Sequence, residues 1–166
     1  MEPMIFARQV GAAIVLVTGT LVIHCIGMAA FIHLVRARIE RGIKGLSPLR
    51  SSILMVRFTT AMIVLHVLEI LLWAGFYRWH CFRSWEPCIY FSAASYSTVG
   101  YGDVLLPHVW RLLGPVEGIA GILMSGLSVS LLFVIATRLV ESETVSKKAV
   151  RASGSVPVAA LIAGSP

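Results

Sequence analysis

Three long apolar stretches separated by short polar ones set the frame of this chain. They are Val10–Val35, Phe58–Tyr77 and Leu112–Leu139. Each is long enough to cross a hydrocarbon core, which takes about 20 residues as a helix. The third would reach about 42 Å at a rise of about 1.5 Å per residue, so a tilted helix is expected. A fourth apolar stretch, from Glu86 to Ser97, is too short to span. It reads as a helix that enters the membrane and turns back. Pro87 near its start costs little, because the first turn has unpaired N–H groups in any case. Ser84 and Glu86 are candidate caps. The irregular backbone after this helix is tolerated at membrane depth only where protein buries it or water reaches it.

Composition agrees with this pattern. Of 166 residues, 57% are hydrophobic and 13% charged. That is the balance of an integral membrane protein, not of a water-soluble domain. The net charge of +6 is not a nucleic-acid signal, since no basic stripe with interleaved aromatics is present. The charge instead sets topology. Arg36, Arg38, Arg41, Lys44, Arg50 and Arg57 surround a Gly45–Pro48 turn, and Lys147, Lys148 and Arg151 lie in the tail. Basic loops stay cytoplasmic, which puts the amino terminus outside and the carboxyl terminus inside. The first stretch is longer than a signal-peptide core and its positive cluster follows it, so it reads as a retained helix. Tyr77, Trp79, Trp85 and Trp110 cluster at the outer end, as an aromatic belt or as packing. Cys25, Cys81 and Cys88 fit no zinc pattern; Cys81 and Cys88 are either bonded or free. The tail from Glu141 to Pro166 is expected to be disordered or to form a short extra helix, and Val156–Ala163 is too short to span.

Between the second and third spans lies Thr98-Val99-Gly100-Tyr101-Gly102-Asp103. A cation leaving water for a narrow pore needs replacement oxygens, and a ring of backbone carbonyls can supply them. Successive carbonyls point the same way only if the backbone takes φ > 0 at alternate residues, which glycine does without steric cost. Gly100 and Gly102 fit that need. The alternative is an ordinary glycine-rich turn.

This run resembles the filter of potassium channels, and 53–140 as a whole resembles their pore module of outer helix, pore helix, filter and inner helix. The resemblance implies an all-α integral membrane protein with three transmembrane helices, a re-entrant pore helix and a filter loop. It implies K+ bound at Thr98, Val99, Gly100 and Tyr101, with Gly102 completing the filter, Val99 and Tyr101 packed behind it and Asp103 at the outer mouth. One filter cannot surround an ion, so three further copies of the chain are the expected partners, in a homotetramer embedded in lipid. Gly121-Ile122-Leu123-Met124-Ser125-Gly126 resembles the inner-helix stretch that carries a gating glycine. That implies Gly121 as hinge and Ile122, Ser125 and Val129 as cavity lining; close helix approach is the other use of a glycine there. A Glu four residues before the filter Thr braces the filter Asp in a well-studied bacterial member. Here that position is Ala94, so Tyr90 becomes the candidate brace for Asp103.

Polar residues inside the spans are costly and mark contacts with protein. His66, Glu69 and Trp73 share one face of the second span. Glu69 is expected to brace the pore helix, through Ser92, Ser95 or His66, or as a neutral carboxyl bonded to backbone. As a metal site, His66 and Glu69 alone are too few. Glu117 has Arg111, Arg78, Arg83 or the space behind the filter as possible partners. His24 and His33 have no visible partner.

The expected organisation is 1–52 as an N-terminal helix and basic loop, 53–140 as the pore module and 141–166 as a cytoplasmic tail. No span carries the regular arginines of a voltage sensor. The expected activity is passive, selective K+ conduction across a cell membrane, by resemblance a bacterial inner membrane, with K+ as permeant ion and no cofactor. The alternatives are a weakly selective cation channel on the same fold, or a non-conducting subunit or scaffold. No nucleophile with a base is visible, which argues against an enzyme.

Overall fold

The computed structural model describes residues 2–40 and 48–154. Its helices are α1 (Glu2–Glu40), α2 (Pro48–His80), α3 (Trp85–Tyr96) and α4 (Leu113–Gly154), with a 3-10 turn at His108–Trp110 before α4. The fold is all-helical, and Glu2–Ala37, Ser51–His80 and His108–Arg138 are each long and apolar enough to cross a membrane. The helices outrun the apolar stretches that define them. Adding a residue to an existing helix is far cheaper than nucleating a new one, so flanking residues of good propensity extend it. For the same reason α4 continues through the segment from Glu141 to Gly154, where composition suggested disorder or a separate short helix. Gly45–Pro48 falls mostly, and Val156–Ala163 wholly, outside the described residues.

Two apolar clusters define how the helices lie. Ala13 and Leu16 of α1 meet Trp73, Ala74 and Tyr77 of α2, Cys88 of α3, and Leu113 and Ala120 of α4. Away from α3, Phe31 of α1 meets Phe58 and Met62 of α2 and Ile135 of α4. The early part of α1 therefore sits by the late part of α2, and the early part of α4 by the same end. Both α1 and α4 run antiparallel to α2. The short α3 is wedged between α2 and α4 at one end of this three-helix layer. Close approach of α1 to α2 needs small residues: a Cβ on Gly19 would lie 3.1 Å from a Leu72 methyl, and one on Gly27 would collide with Leu65.

Polar bonds fasten α1 along its length. Trp73 Nε1 donates to Thr20 Oγ1 at 2.9 Å, and that hydroxyl donates to the Leu16 carbonyl. Gln9 Oε1 accepts the Leu112 N–H at 2.9 Å, serving one of the unpaired donors at the start of α4. The Arg8 guanidinium sits 5.2 Å over the Trp110 ring.

The aromatic residues split into two groups. Tyr77 and Trp110 are core residues, while Trp79 and Trp85 are exposed. Only the latter two are available to a membrane interface. Ser84 occupies the N-cap of α3 with extended backbone, but its side chain makes no capping bond. Its carbonyl instead accepts from Cys88 Sγ at 3.0 Å. Cys81 and Cys88 are both free thiols. Burial, then Cys88, pushes the Cys81 thiol up to about 11.

Candidate functional site

The segment after α3 departs from helical geometry in a regular way. Thr98, Gly100 and Gly102 all take positive φ, at 62°, 53° and 79°. Every second residue therefore lies in the left-handed region, beginning right where α3 ends. Gly100 and Gly102 match the expectation from sequence. Thr98 does not follow from it, because a β-branched residue pays about 1–2 kcal/mol to adopt that conformation. Its position explains it. Ser97 is the C-cap of α3, and Thr98 is the residue after it, where a left-handed turn commonly ends a helix. Thr98 N–H donates to the Ser95 carbonyl at 2.9 Å, and Gly100 N–H to the Ala94 carbonyl at 3.0 Å. These bonds serve the last carbonyls of α3 and fold the loop back beneath the helix.

Thr98, Val99, Gly100, Tyr101, Gly102 and Asp103 are all exposed in the single chain. Tyr101 is 71% exposed, and its ring lies parallel to that of Tyr90 at 6.3 Å. Tyr90 Oη donates to Asp103 Oδ2 at 2.8 Å, and Asp103 Oδ1 accepts the Val104 N–H. The bond to Asp103 pushes the Tyr90 phenol above its ordinary value. Tyr90 and Asp103 are thus together, at a site where Ala94 carries no brace. A groove of about 700 Å³ opens beside the loop, lined by Phe91, Ser95, Thr98, Tyr101, Gly114 and Ile122 among others.

Gly114, Gly118 and Gly121 form the track on α4 against which the end of α3 packs. A Cβ on Gly114 would lie 3.2 Å from the Phe91 ring, and one on Gly118 3.2 Å from the Ser95 carbonyl. One on Gly121 would run into the Tyr96 carbonyl. Close approach alone therefore demands glycine at 121, and α4 is unbroken through it. Ile122, Ser125 and Val129 of α4 are exposed.

Behind α3 the structure brings together two buried carboxylates, each with its own partners. Glu69 is fully buried and is met by His24 Nδ1 at 2.8 Å on Oε1 and by His66 Nδ1 at 3.3 Å on Oε2. Tyr96 Oη also donates to Oε2. Ser92 and Ser95, considered above as partners, do not bond it; Tyr96 reaches further from the last turn of α3 and takes the position. His24, which had no visible partner in the sequence, is one of the nearest groups. Nothing in a single sequence relates residues 24 and 69; only the antiparallel packing of α1 on α2 does.

Glu117 is also fully buried. Tyr77 Oη donates to its Oε2 at 2.8 Å, and Ser92 Oγ is 2.5 Å from its Oε1. Ser92 Oγ is also 2.9 Å from the Ile70 carbonyl. The serine has one hydrogen for two acceptors. A carboxyl O–H on Glu117 donating to Ser92 leaves that hydrogen free for Ile70, and every group is then served. None of Arg78, Arg83 and Arg111 pairs with Glu117; Arg78 reaches instead toward the Phe82 carbonyl.

A family model described as an ion channel matches residues 63–138, from within α2 through α3 and the loop to the membrane-spanning part of α4. No curated protein and no solved structure matches the chain. The matched segment holds the short helix, the loop with alternating φ and both buried carboxylates, while His24 lies outside it. This part of the molecule is similar to an ion-channel module, and three helices of the chain are long and apolar enough to cross a membrane.

Proposed function

We propose that the chain is one of four identical subunits of a potassium-selective channel, with Thr98–Gly102 as its filter. The observation that carries this reading is the alternation of positive φ at Thr98, Gly100 and Gly102, directly after a helix too short to span. Such alternation brings successive carbonyls toward one side, which is what stripping water from a cation requires. The carboxyl end of α3 abuts the loop, and its negative dipole end favours a cation there. Exposure supports the assembly. Val99 and Tyr101 are apolar or aromatic yet 53% and 71% exposed, and a groove lies open beside them. Neighbouring copies closing a ring would bury both. Asp103, held by Tyr90, stands at the outer mouth. Ile122, Ser125 and Val129 face the cavity, and Gly121 serves as hinge in addition to its packing role. The basic residues around 36–57 and in the tail set the amino terminus outside and the carboxyl terminus in the cytoplasm.

The test is flux through purified protein in liposomes, K+ against Na+, with the mass of the detergent-solubilised particle measured alongside. Selective K+ flux from a tetramer is expected. Equal K+ and Na+ flux would replace this reading with a weakly selective cation channel. A tetramer without flux would make it a non-conducting subunit, and a monomer or dimer with full flux would remove the ring altogether.

A further inference from the structure

His24 of α1, His66 and Glu69 of α2, and Tyr96 of α3 converge on one point behind the short helix. The ligand-capable atoms of the two histidines and the glutamate lie within 4.8 Å of one another. Tyr96 adds a fourth: its Oη is 2.9 Å from His66 Nδ1 and bonded to Glu69 Oε2. Both imidazoles present the same atom, Nδ1, to the same carboxylate, and the ring centroids are 5.7 Å apart. His24, Glu69 and Tyr96 are buried, and His66 is 19% exposed at the edge of the cluster.

We propose that these four side chains bind a divalent transition metal of the zinc class, which ties α1 to α2 and to the last turn of α3. Two imidazoles and a carboxylate are a known zinc set, completed here by a phenolic oxygen. Tetrahedral zinc with ligands at about 2.0–2.1 Å holds its donors about 3.3–3.4 Å apart. His24–Glu69, His66–Glu69 and His66–Tyr96 stand at 2.8, 3.3 and 2.9 Å, and Tyr96–Glu69 is closer still, so the ion enters by spreading these contacts. The absence of a sulfur ligand favours zinc, cobalt, nickel or copper over cuprous ion. Charge also balances. A dication with a carboxylate and a phenolate is neutral, which suits a site inside a membrane where net charge is expensive. Binding releases the Tyr96 hydroxyl proton, and any proton on either Nδ1, to solvent; no electron moves. This proposal does not depend on what ion the channel conducts.

The test uses the full chain in detergent, stripped with a chelator and titrated with Co2+. One Co2+ per chain is expected, with the intense visible bands of a four-coordinate site, displaced one-for-one by Zn2+. Zn2+ should also raise the melting temperature. His24→Gln and His66→Ala should each weaken Co2+ binding by at least about tenfold, while His33→Ala and His80→Ala leave it unchanged. Should His24→Gln fail to fold, His66→Ala, at the partly exposed edge, carries the comparison. Two results overturn the proposal. One is a parent protein that takes up no Co2+. The other is uptake that survives in His66→Ala, which places the ion elsewhere. A cluster held by hydrogen bonds alone would give the first of these, with both variants less stable and no metal effect.

Discussion

Replacing Gly100 by alanine tests the filter assignment at the position where the cost is purely one of backbone. Gly100 has φ of 53°, and a Cβ built there meets nothing within 4 Å in its own chain. No neighbour collides with the methyl and none gains contact with it. What remains is the left-handed penalty for an L-residue, about 1–2 kcal/mol per chain. In a single chain this leaves the helical core untouched, since Gly100 contributes nothing to either apolar cluster. Thr98 already bears a penalty of the same kind, so one such residue per chain is tolerated. In a ring of four chains that must hold one conformation together, the added cost sums to about 4–8 kcal/mol. At 1.4 kcal/mol per factor of ten, the population of the intact ring falls by about three to nearly six orders of magnitude. Gly100→Ala should therefore assemble as the parent does, with a melting temperature close to it, and lose K+-over-Na+ selectivity in liposome flux. A variant with the parent's selectivity would mean that the φ of residue 100 does not shape the conduction path, and the filter reading would fail. A variant that fails to assemble would mean that this loop is a folding element and would refute the separation of loop from core.

Two other outcomes follow from the contacts. Glu117→Gln should be nearly neutral in thermal melting, because an amide can donate to Ser92 and accept from Tyr77; Glu117→Leu should cost about 1–3 kcal/mol per chain, the price of a buried Tyr77 hydroxyl left unpaired while Ser92 keeps the Ile70 carbonyl. The Tyr90–Asp103 bond raises the phenol above its ordinary value of 10.0, so its contribution is fully present below pH 10 and is lost as pH rises through the raised value; in ultraviolet titration Asp103→Asn should move one phenol's ionisation to lower pH, and Tyr90→Phe should remove that phenol's signal.

Much of the architecture was legible because it is one-dimensional. A span announces itself by the length of an apolar run, and the left-handed loop by two glycines two residues apart, Gly100 and Gly102. Thr98 was not legible as a left-handed residue. Its conformation comes from ending α3, and nothing about threonine signals it. The polar partners divide in the same way. Tyr90 with Asp103 joins α3 to the loop that follows it, and His66 lies one turn from Glu69. Local geometry brings such pairs within reach. His24 with Glu69, Thr20 with Trp73, and Tyr77 with Glu117 are each 40 or more residues apart. They depend on how helices pack, and a mid-span histidine reads the same whether its partner is near or absent. The extent of α4 was missed for another reason: composition judges the segment from Glu141 as if it stood alone, whereas it is the continuation of a helix already formed.

The two carboxylate clusters acquire a common meaning from where they touch α3. Glu117 reaches Ser92, and Glu69 reaches Tyr96, four residues further along. These contacts lie about one turn apart on the same face of the short helix. That face is gripped from α4 through Glu117 and from α2 through Glu69, and Tyr77 and His24 extend the grip to the rest of α2 and to α1. Tyr96 is also the residue whose carbonyl sits against Gly121, so side chain and backbone of one position fix both depth and rotation of the helix end. The loop with alternating φ starts two residues later. A displacement of the Tyr96 turn would carry Thr98 with it, because Thr98 N–H is bonded to the Ser95 carbonyl within that turn. Ala94 can offer no side-chain support to the loop. Beyond the Tyr90–Asp103 bond, rigidity comes from behind the helix, where the buried polar groups of α1, α2 and α4 are placed to provide it. On this account α1 is more than an added span: through His24 it belongs to the same bonded unit as the loop, although it lies outside the matched segment 63–138.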